Sequence, residues 1–281
     1  MHPLIFRADL RYKNYLCPLF MRVFLFIVIA SLLVSCNGIN KILKSKDPEY
    51  KLRMAEQYFV KKKYNYAQSL YEDVMPNFKG TVIFEDLYYK YAYCAYYQKD
   101  YLNAENLFKS FLEAFPNSPK ADELDYMRAY CYYKMSPKVA LDQANTMKAI
   151  GMLQTYINTH PGSPKNKEAN ELIDICRIKL EEKDRLAARL YYDLGQFRAA
   201  GVSYTTLLND FPDSEKSDEY KLMVIKSYYK FAELSVDERK VERYEQVIAE
   251  CNDFMDRFPD SKLVKEVENY ISLTNNNIKK I

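Results

Sequence analysis

A short landmark recurs four times in this chain and does most to limit its possible folds. It reads "FPNSP" from Phe115, "HPGSP" from His160, "FPDSE" from Phe211 and "FPDSK" from Phe258. Twelve residues before each proline stands a small or β-branched residue: Ala104, Ala149, Ala200 and Val247. Four residues after those come Phe108, Leu153, Tyr204 and Cys251, and three before them Tyr101, Thr146, Phe197 and Tyr244. An earlier copy, Tyr64, Ala67, Tyr71 and Phe78, keeps the register with Lys79 in the proline slot. The five units lie 37 to 51 residues apart. A period of that size marks a supersecondary unit that buries its apolar face only by stacking on its neighbours. Spacings of three and four place these side chains on one helical face, the small residue lets two helices approach closely, and proline stops the helix. The expectation is an all-α chain of about five helix pairs.

This pattern resembles the tetratricopeptide repeat, and the fourth unit, with Tyr191, Gly195, Phe197, Ala200, Tyr204 and Pro212, matches it best. The resemblance implies a superhelix of helix pairs in which the first helix of each pair lines the concave face. Helix starts are marked as well. In "KDPEY" Asp47 is placed as an N-cap with Pro48 in the first turn, and Ser118 and Ser163 are expected to repeat that chemistry. Units longer than the usual 34 residues require lengthened helices or loops, notably around "SPKVALDQANTM" at 136–147.

The chain opens with a different kind of segment. Val23–Val34 is an apolar run of 12 residues preceded by Arg22. A membrane-spanning helix needs about 20, so the run suits the core of a signal peptide. Met21 is favoured over Met1 as the start, because the first 20 residues add nothing such a segment needs. "Leu33-Val34-Ser35-Cys36" resembles the bacterial lipobox. That implies cleavage after residue 35 and a covalent lipid on Cys36, an S-diacylglycerol with an acylated amino group. Several acyl chains anchor durably, at about 0.8 kcal/mol per buried methylene. No acidic residue follows Cys36 before Asp47, and the pattern of such lipoproteins then implies the outer membrane and its periplasmic face.

Composition excludes some functions. The leader holds Arg7, Arg11, Lys13 and Arg22 against Asp9, which leaves 37 basic and 37 acidic residues in the rest. A formally neutral protein lacks the cation surplus that nucleic-acid binding requires. Six glycines, no tryptophan and 27 tyrosines point to packed helices instead of glycine-rich phosphate loops. No enzyme, metal or cofactor site is expected: the histidines are His2 and His160, and no Cys-x-x-Cys or His-x-x-x-His spacing occurs. His160 takes the aromatic slot of the landmark and reads as a packing residue, and Glu181-Glu182 reads as part of a solvated face. Cys94 and Cys131 fall at equivalent repeat positions, roughly 8–10 Å apart and beyond the ~7 Å a disulfide tolerates. With Cys176 and Cys251 they read as buried thiols.

The remaining signal is aromatic. In the repeat register Tyr89, Tyr93, Tyr96 and Tyr97 form one helical stripe, the third repeat adds Tyr126, Tyr130 and Tyr133, and the first adds Glu56, Phe59 and Val60. Tyrosine offers large contact area at low entropy cost. A peptide-binding groove comprising Phe59, Tyr89, Tyr93, Tyr96, Tyr97, Tyr126 and Tyr130 is therefore expected in repeats 1–3.

Leader, lipobox, the short basic stretch "NKILKSKDPEY" and five long repeats together resemble the BamD family of outer-membrane protein assembly factors. The matching stretches include "AEQYFVKKKYNYAQSLYEDV", "FPNSPKADELDYMRAYCYY" and "FPDSEKSDEYKLMVIKSYYK". The resemblance implies a signal peptide at 1–35, a lipidated tether at 36–46, repeats 1–3 at 47–160 as the substrate-binding half, and repeats 4–5 with a terminal helix at 161–278 as the partner-docking half. It implies a non-enzymatic scaffold that binds a BamA-type barrel subunit and nascent outer-membrane β-barrel proteins. Two alternatives share the architecture: a nutrient- or glycan-binding lipoprotein and a peptidoglycan-linked coordinator of division. The first usually carries large insertions and the second a coiled coil before its repeats, and neither feature is found here.

Overall fold

The computed structural model describes residues 37–281, and among them there are twelve α-helices and no strand. The expected signal peptide and Cys36 lie outside the described residues. The chain divides into two compact units, the first ending at Ala121 and the second running from Asp122 to Ile281. The first holds α1 (Asn37–Leu43), α2 (Pro48–Val60), α3 (Tyr64–Phe78), α4 (Phe84–Tyr97) and α5 (Tyr101–Ala114). The second holds α6 (Ala121–Met135), α7 (Ala144–Thr159), α8 (Asn166–Asp193), α9 (Phe197–Asp210), α10 (Ser217–Glu233), α11 (Asp237–Arg257) and α12 (Val264–Ile278). Pairs α2–α3 and α4–α5 are the first two repeats, α8–α9 and α10–α11 the last two, and α12 packs on α11. Between them α6 and α7 form the third, sharing a core of Tyr126, Ala129, Leu153 and Tyr156.

The repeat register survives intact. Ala67, Ala104, Ala149, Ala200 and Val247 are all fully buried, and Tyr71, Phe108, Leu153, Tyr204 and Cys251 are buried one turn later. The landmark residues are true helix ends. Phe115, His160, Phe211 and Phe258 are the C-caps of α5, α7, α9 and α11, with φ between −127° and −133°. Each donates its backbone N–H to the carbonyl four residues back before proline ends the run.

Asp47 caps α2 as expected, accepting from the Tyr50 N–H at 3.0 Å. The serines act differently from the expectation. Ser118 and Ser163 accept from the N–H two residues on, but α6 and α8 begin three residues after them, beyond an intervening turn. Their hydroxyls instead reach back to the first helix of the same pair. Ser118 donates to Glu85 at 2.7 Å and Ser163 to Asp122 at 2.9 Å, while Ser214 donates to Glu181 at 2.5 Å and Ser261 to Asp218 at 2.6 Å. In repeats 2–5 one serine–carboxylate staple thus ties the exit of a pair to its first helix. Glu181, which also accepts from the Tyr220 hydroxyl at 2.6 Å, is a structural partner and not part of a solvated face.

Two long-range features explain the uneven spacing. Helix α8 runs for 28 residues and serves two cores. Its N-terminal half places Ala169, Leu172 and Ile173 against Tyr126, Ala129, Leu153 and Tyr156, while Ala188 packs with Tyr204, Leu207 and Leu208. The stretch before α7 is built around Gln143, which is 3% exposed and donates through Nε2 to the carbonyls of Lys138 and Leu141 at 3.0 and 2.9 Å. Thr146 Oγ1 donates to its Oε1 at 2.6 Å, so this loop has a polar core of its own.

The stretch expected as the lipidated tether, 36–46, contains a helix. Residues 37–43 form α1, whose Ile42 is 6% exposed within the core of Ala55, Ala67, Leu70 and Tyr71. Three apolar residues on one face, Ile39, Ile42 and Leu43, suffice to dock so short a helix onto α2 and α3.

Candidate functional site

The first unit carries the densest aromatic surface. Phe59 lies in the last turn of α2, Tyr64 opens α3 and Tyr97 ends α4, so the two turns of repeats 1 and 2 bring the three rings together. Tyr64 stacks on Tyr97 with centroids 4.6 Å apart and planes at 26°, and Phe59 meets them at 5.6 and 6.3 Å. Tyr96 lies 5.6 Å from Tyr101 and 5.5 Å from Tyr97. Tyr97 is 45% exposed, whereas Phe59, Tyr64, Tyr96 and Tyr101 are half-buried. The result is a pre-stacked aromatic edge, rigid because each ring is held by another.

Not every stripe residue faces outward. Tyr93 is 6% exposed and packs on Phe108 at 5.2 Å. Tyr89 lies between Tyr93, at 4.7 Å, and the Lys120 ammonium, 4.4 Å from its ring centroid. In the second unit Tyr126 is 2% exposed against Tyr156, and Tyr130 stacks between Tyr126 and Tyr133 at 5.8 and 5.6 Å. Tyr93 and Tyr126 are therefore interior residues, correcting their assignment to a groove. The i, i+4 spacing that marks a binding stripe is the same spacing that marks a packing face.

Ions organise the aromatic edge. Glu56 accepts from the Tyr71 hydroxyl at 3.0 Å and pairs with Lys90 at 2.7 Å; Lys90 also reaches Asp86 at 2.7 Å, and Asp86 pairs with Lys120 at 2.9 Å. Burial opposes the charge on Asp86, but hydrogen bonds from Lys90 and Lys120 outweigh it and hold the carboxyl below the usual range. Burial likewise opposes the charge on Lys90, and Asp86 and Glu56 outweigh it, raising the ammonium above its ordinary value. Burial, aided by Glu56, pushes the Cys94 thiol up to about 12. Glu56, expected to face a groove, is instead tied to Tyr71 of its own repeat, 15 residues on, and to Lys90 of the next, 34 residues on.

The second unit presents an aliphatic stripe that periodicity alone did not separate from core. Ile178, Leu186, Leu190 and Leu194, at 64, 44, 58 and 64% exposure, run along α8 and its end. Beside it a cleft of about 560 Å³ is lined by Ile178, Glu181, Glu182, Ser214, Lys216 and Tyr220. Cys94, Cys131, Cys176 and Cys251 are all buried, as expected, and form no disulfide among the described residues. His160 stacks on Tyr156 at 4.8 Å, in keeping with a packing role. Among the described residues there is no cluster of three or more His, Cys, Asp or Glu able to hold a metal ion. No described helix is long and apolar enough to cross a membrane.

Stapled helix pairs that carry an aromatic edge in one unit and an aliphatic stripe in the other define a tetratricopeptide-type helical repeat protein. The particular family is given by the sequence, which over residues 45–230 matches the model of "YfiO: Outer membrane lipoprotein". The match spans more than half of the chain, and the protein belongs to that family. No curated protein matches the chain. Among solved structures it is similar to the TPR2AB-domain:pHSP90-complex of yeast Sti1, at 12% identity and a TM-score of 0.38, over 81% of this chain and 98% of that one.

Proposed function

We propose that this outer membrane lipoprotein is a BamD-type scaffold of the β-barrel assembly machinery. It is anchored through lipid on Cys36 at the periplasmic face and holds a BamA-type barrel subunit and nascent β-barrel proteins without performing catalysis. The family match across both units carries this reading. The pre-stacked edge of Phe59, Tyr64, Tyr96 and Tyr97 suits an extended segment rich in aromatic residues, because ordered rings bind with little further loss of entropy. Tyr89, joined to Tyr97 through Tyr93, extends that edge within the first unit, and Tyr130 is a separate candidate contact in the second. Repeats 4 and 5 dock the barrel subunit, and the stripe Leu186, Leu190 and Leu194 is the surface offered for it.

Affinity isolation from outer membranes in mild detergent is the test. A β-barrel subunit is expected to co-purify, and its absence would remove the assembly reading. Replacing Tyr64 and Tyr97 with alanine is expected to weaken binding of a barrel C-terminal peptide at least tenfold while the barrel subunit still co-purifies. Leu186→Asp with Leu190→Asp is expected to do the reverse.

A further inference from the structure

Between Asn37 and Pro48 this chain has no slack. Helix α1 begins at Asn37, the residue after the proposed lipid site, and its apolar face is locked into the first unit through Ile39, Ile42 and Leu43. The helix closes with the Lys44 N–H donating to the Asn40 carbonyl and the Ser45 N–H to the Ile42 carbonyl, at 3.2 and 3.0 Å. Ser45 Oγ then accepts from the Asp47 N–H at 3.2 Å, and Asp47 caps α2. An anchor at position 36 is three residues, at most about 11 Å between Cα atoms, from Ile39, which packs on the core.

The outward face of α1 has one chemistry. Lys41 and Lys44 stand three residues apart, opposite the apolar face, and Lys46 follows. All three are exposed, and none pairs with a carboxylate among the described residues. Residues 37–46 contain no acidic side chain. On the N-terminal side the sequence carries the apolar run Val23–Val34, so with or without cleavage what precedes α1 belongs in a bilayer.

We propose that α1 is a membrane-contact platform: Lys41, Lys44 and Lys46 rest on anionic phospholipid headgroups and hold the first unit flat against the bilayer. This rests on the lipid-anchor reading and deepens it. The acyl chains supply attachment, and the lysines, each contributing about a several-fold change in partition near an anionic surface, supply orientation. The same patch would be idle on a long flexible tether; the docking of Ile42 is what brings it to the surface.

The test uses the lipidated protein reconstituted into vesicles of phosphatidylcholine, with or without phosphatidylglycerol. A fluorophore is placed at Glu49→Cys, and a control at Val60→Cys, roughly 17 Å away along α2. The four native thiols are buried, so labelling is directed. With phosphatidylglycerol, a headgroup quencher is expected to quench the Glu49 reporter several-fold more than the Val60 reporter. Lys41→Gln, Lys44→Gln and Lys46→Gln together, or high salt, should abolish the difference. Flotation of the vesicles is read in parallel. A chain that floats with quenching indifferent to lipid charge and to the lysines overturns the platform and leaves the anchor standing. A chain that does not float overturns both.

Discussion

The two units are made from the same repeat but use its length differently. In the first, α4 and α5 are 14 residues each, and the turns between paired helices lie close enough to gather Phe59, Tyr64 and Tyr97. In the second, α8 and α11 extend to 28 and 21 residues, and the added turns expose aliphatic side chains along α8. Short helices concentrate the residues at their ends into an edge, while long ones generate a side. The difference teaches that a repeat acquires a surface from whatever its minimal core leaves over.

The largest effects should show whether the cores are equivalent. Phe108 in the first unit and Phe254 in the second are both fully buried. Each changed to alanine is expected to cost about 3–5 kcal/mol, with hydrogen exchange accelerating mainly in the unit that carries the change. Uniform acceleration throughout the chain would mean that the two units unfold as one.

Charge should separate them next. Lys221 in the second unit has a side chain 6% exposed and pairs with Glu250 at 2.5 Å and with Asp253. Lys90 in the first is 24% exposed. Lys221→Ala is expected to cost about 2–3 kcal/mol, since it strands a partly buried carboxylate, and Lys90→Ala only about 0.5–1 kcal/mol. Lys90 nonetheless leaves a pH signature. Because the folded Asp86 carboxyl is depressed, its contribution is present above the unfolded value of about 4 and lost as pH falls through the lower folded one. Because folded Lys90 is raised, its contribution is present below about 10.4 and lost as pH rises through the higher folded value. Urea midpoints across pH should show both arms, and Lys90→Ala should flatten them.

The smallest effect lies in the turns. Lys62 and Lys99 hold the left-handed conformation, φ 56° and 65°, two residues before α3 and α5, where the second unit has Gly195 at φ 74° before α9. Lys62→Gly and Lys99→Gly are each expected to raise stability by about 0.5–1 kcal/mol, the relief of backbone strain exceeding the added freedom of the unfolded chain. Gly195→Lys should cost a similar amount. A melting temperature unmoved by all three would show that these turns relax without penalty.

Much of this was readable before any coordinates. The buried set Ala67, Ala104, Ala149, Ala200 and Val247, the proline-terminated ends after Phe115, His160, Phe211 and Phe258, and the buried cysteines all follow from residues a few positions apart. Local spacing could not say which way a tyrosine stripe turns, and so Tyr93 and Tyr126 went inward while Tyr97 stayed out. It also missed the serine staples, because Ser163 and Asp122 are 41 residues apart.

Residue order alone made this chain a set of capped, amphipathic helices in five pairs, since capping, periodicity and proline stops act within a turn or two of their own position. Only packing decided that α8 would be continuous across two cores, that Gln143 would organise the loop before α7, and that residues 37–43 would form a docked helix. Those outcomes depend on which apolar faces are left uncovered once neighbouring pairs have closed. That is a property of three-dimensional contact, and no window of sequence contains it.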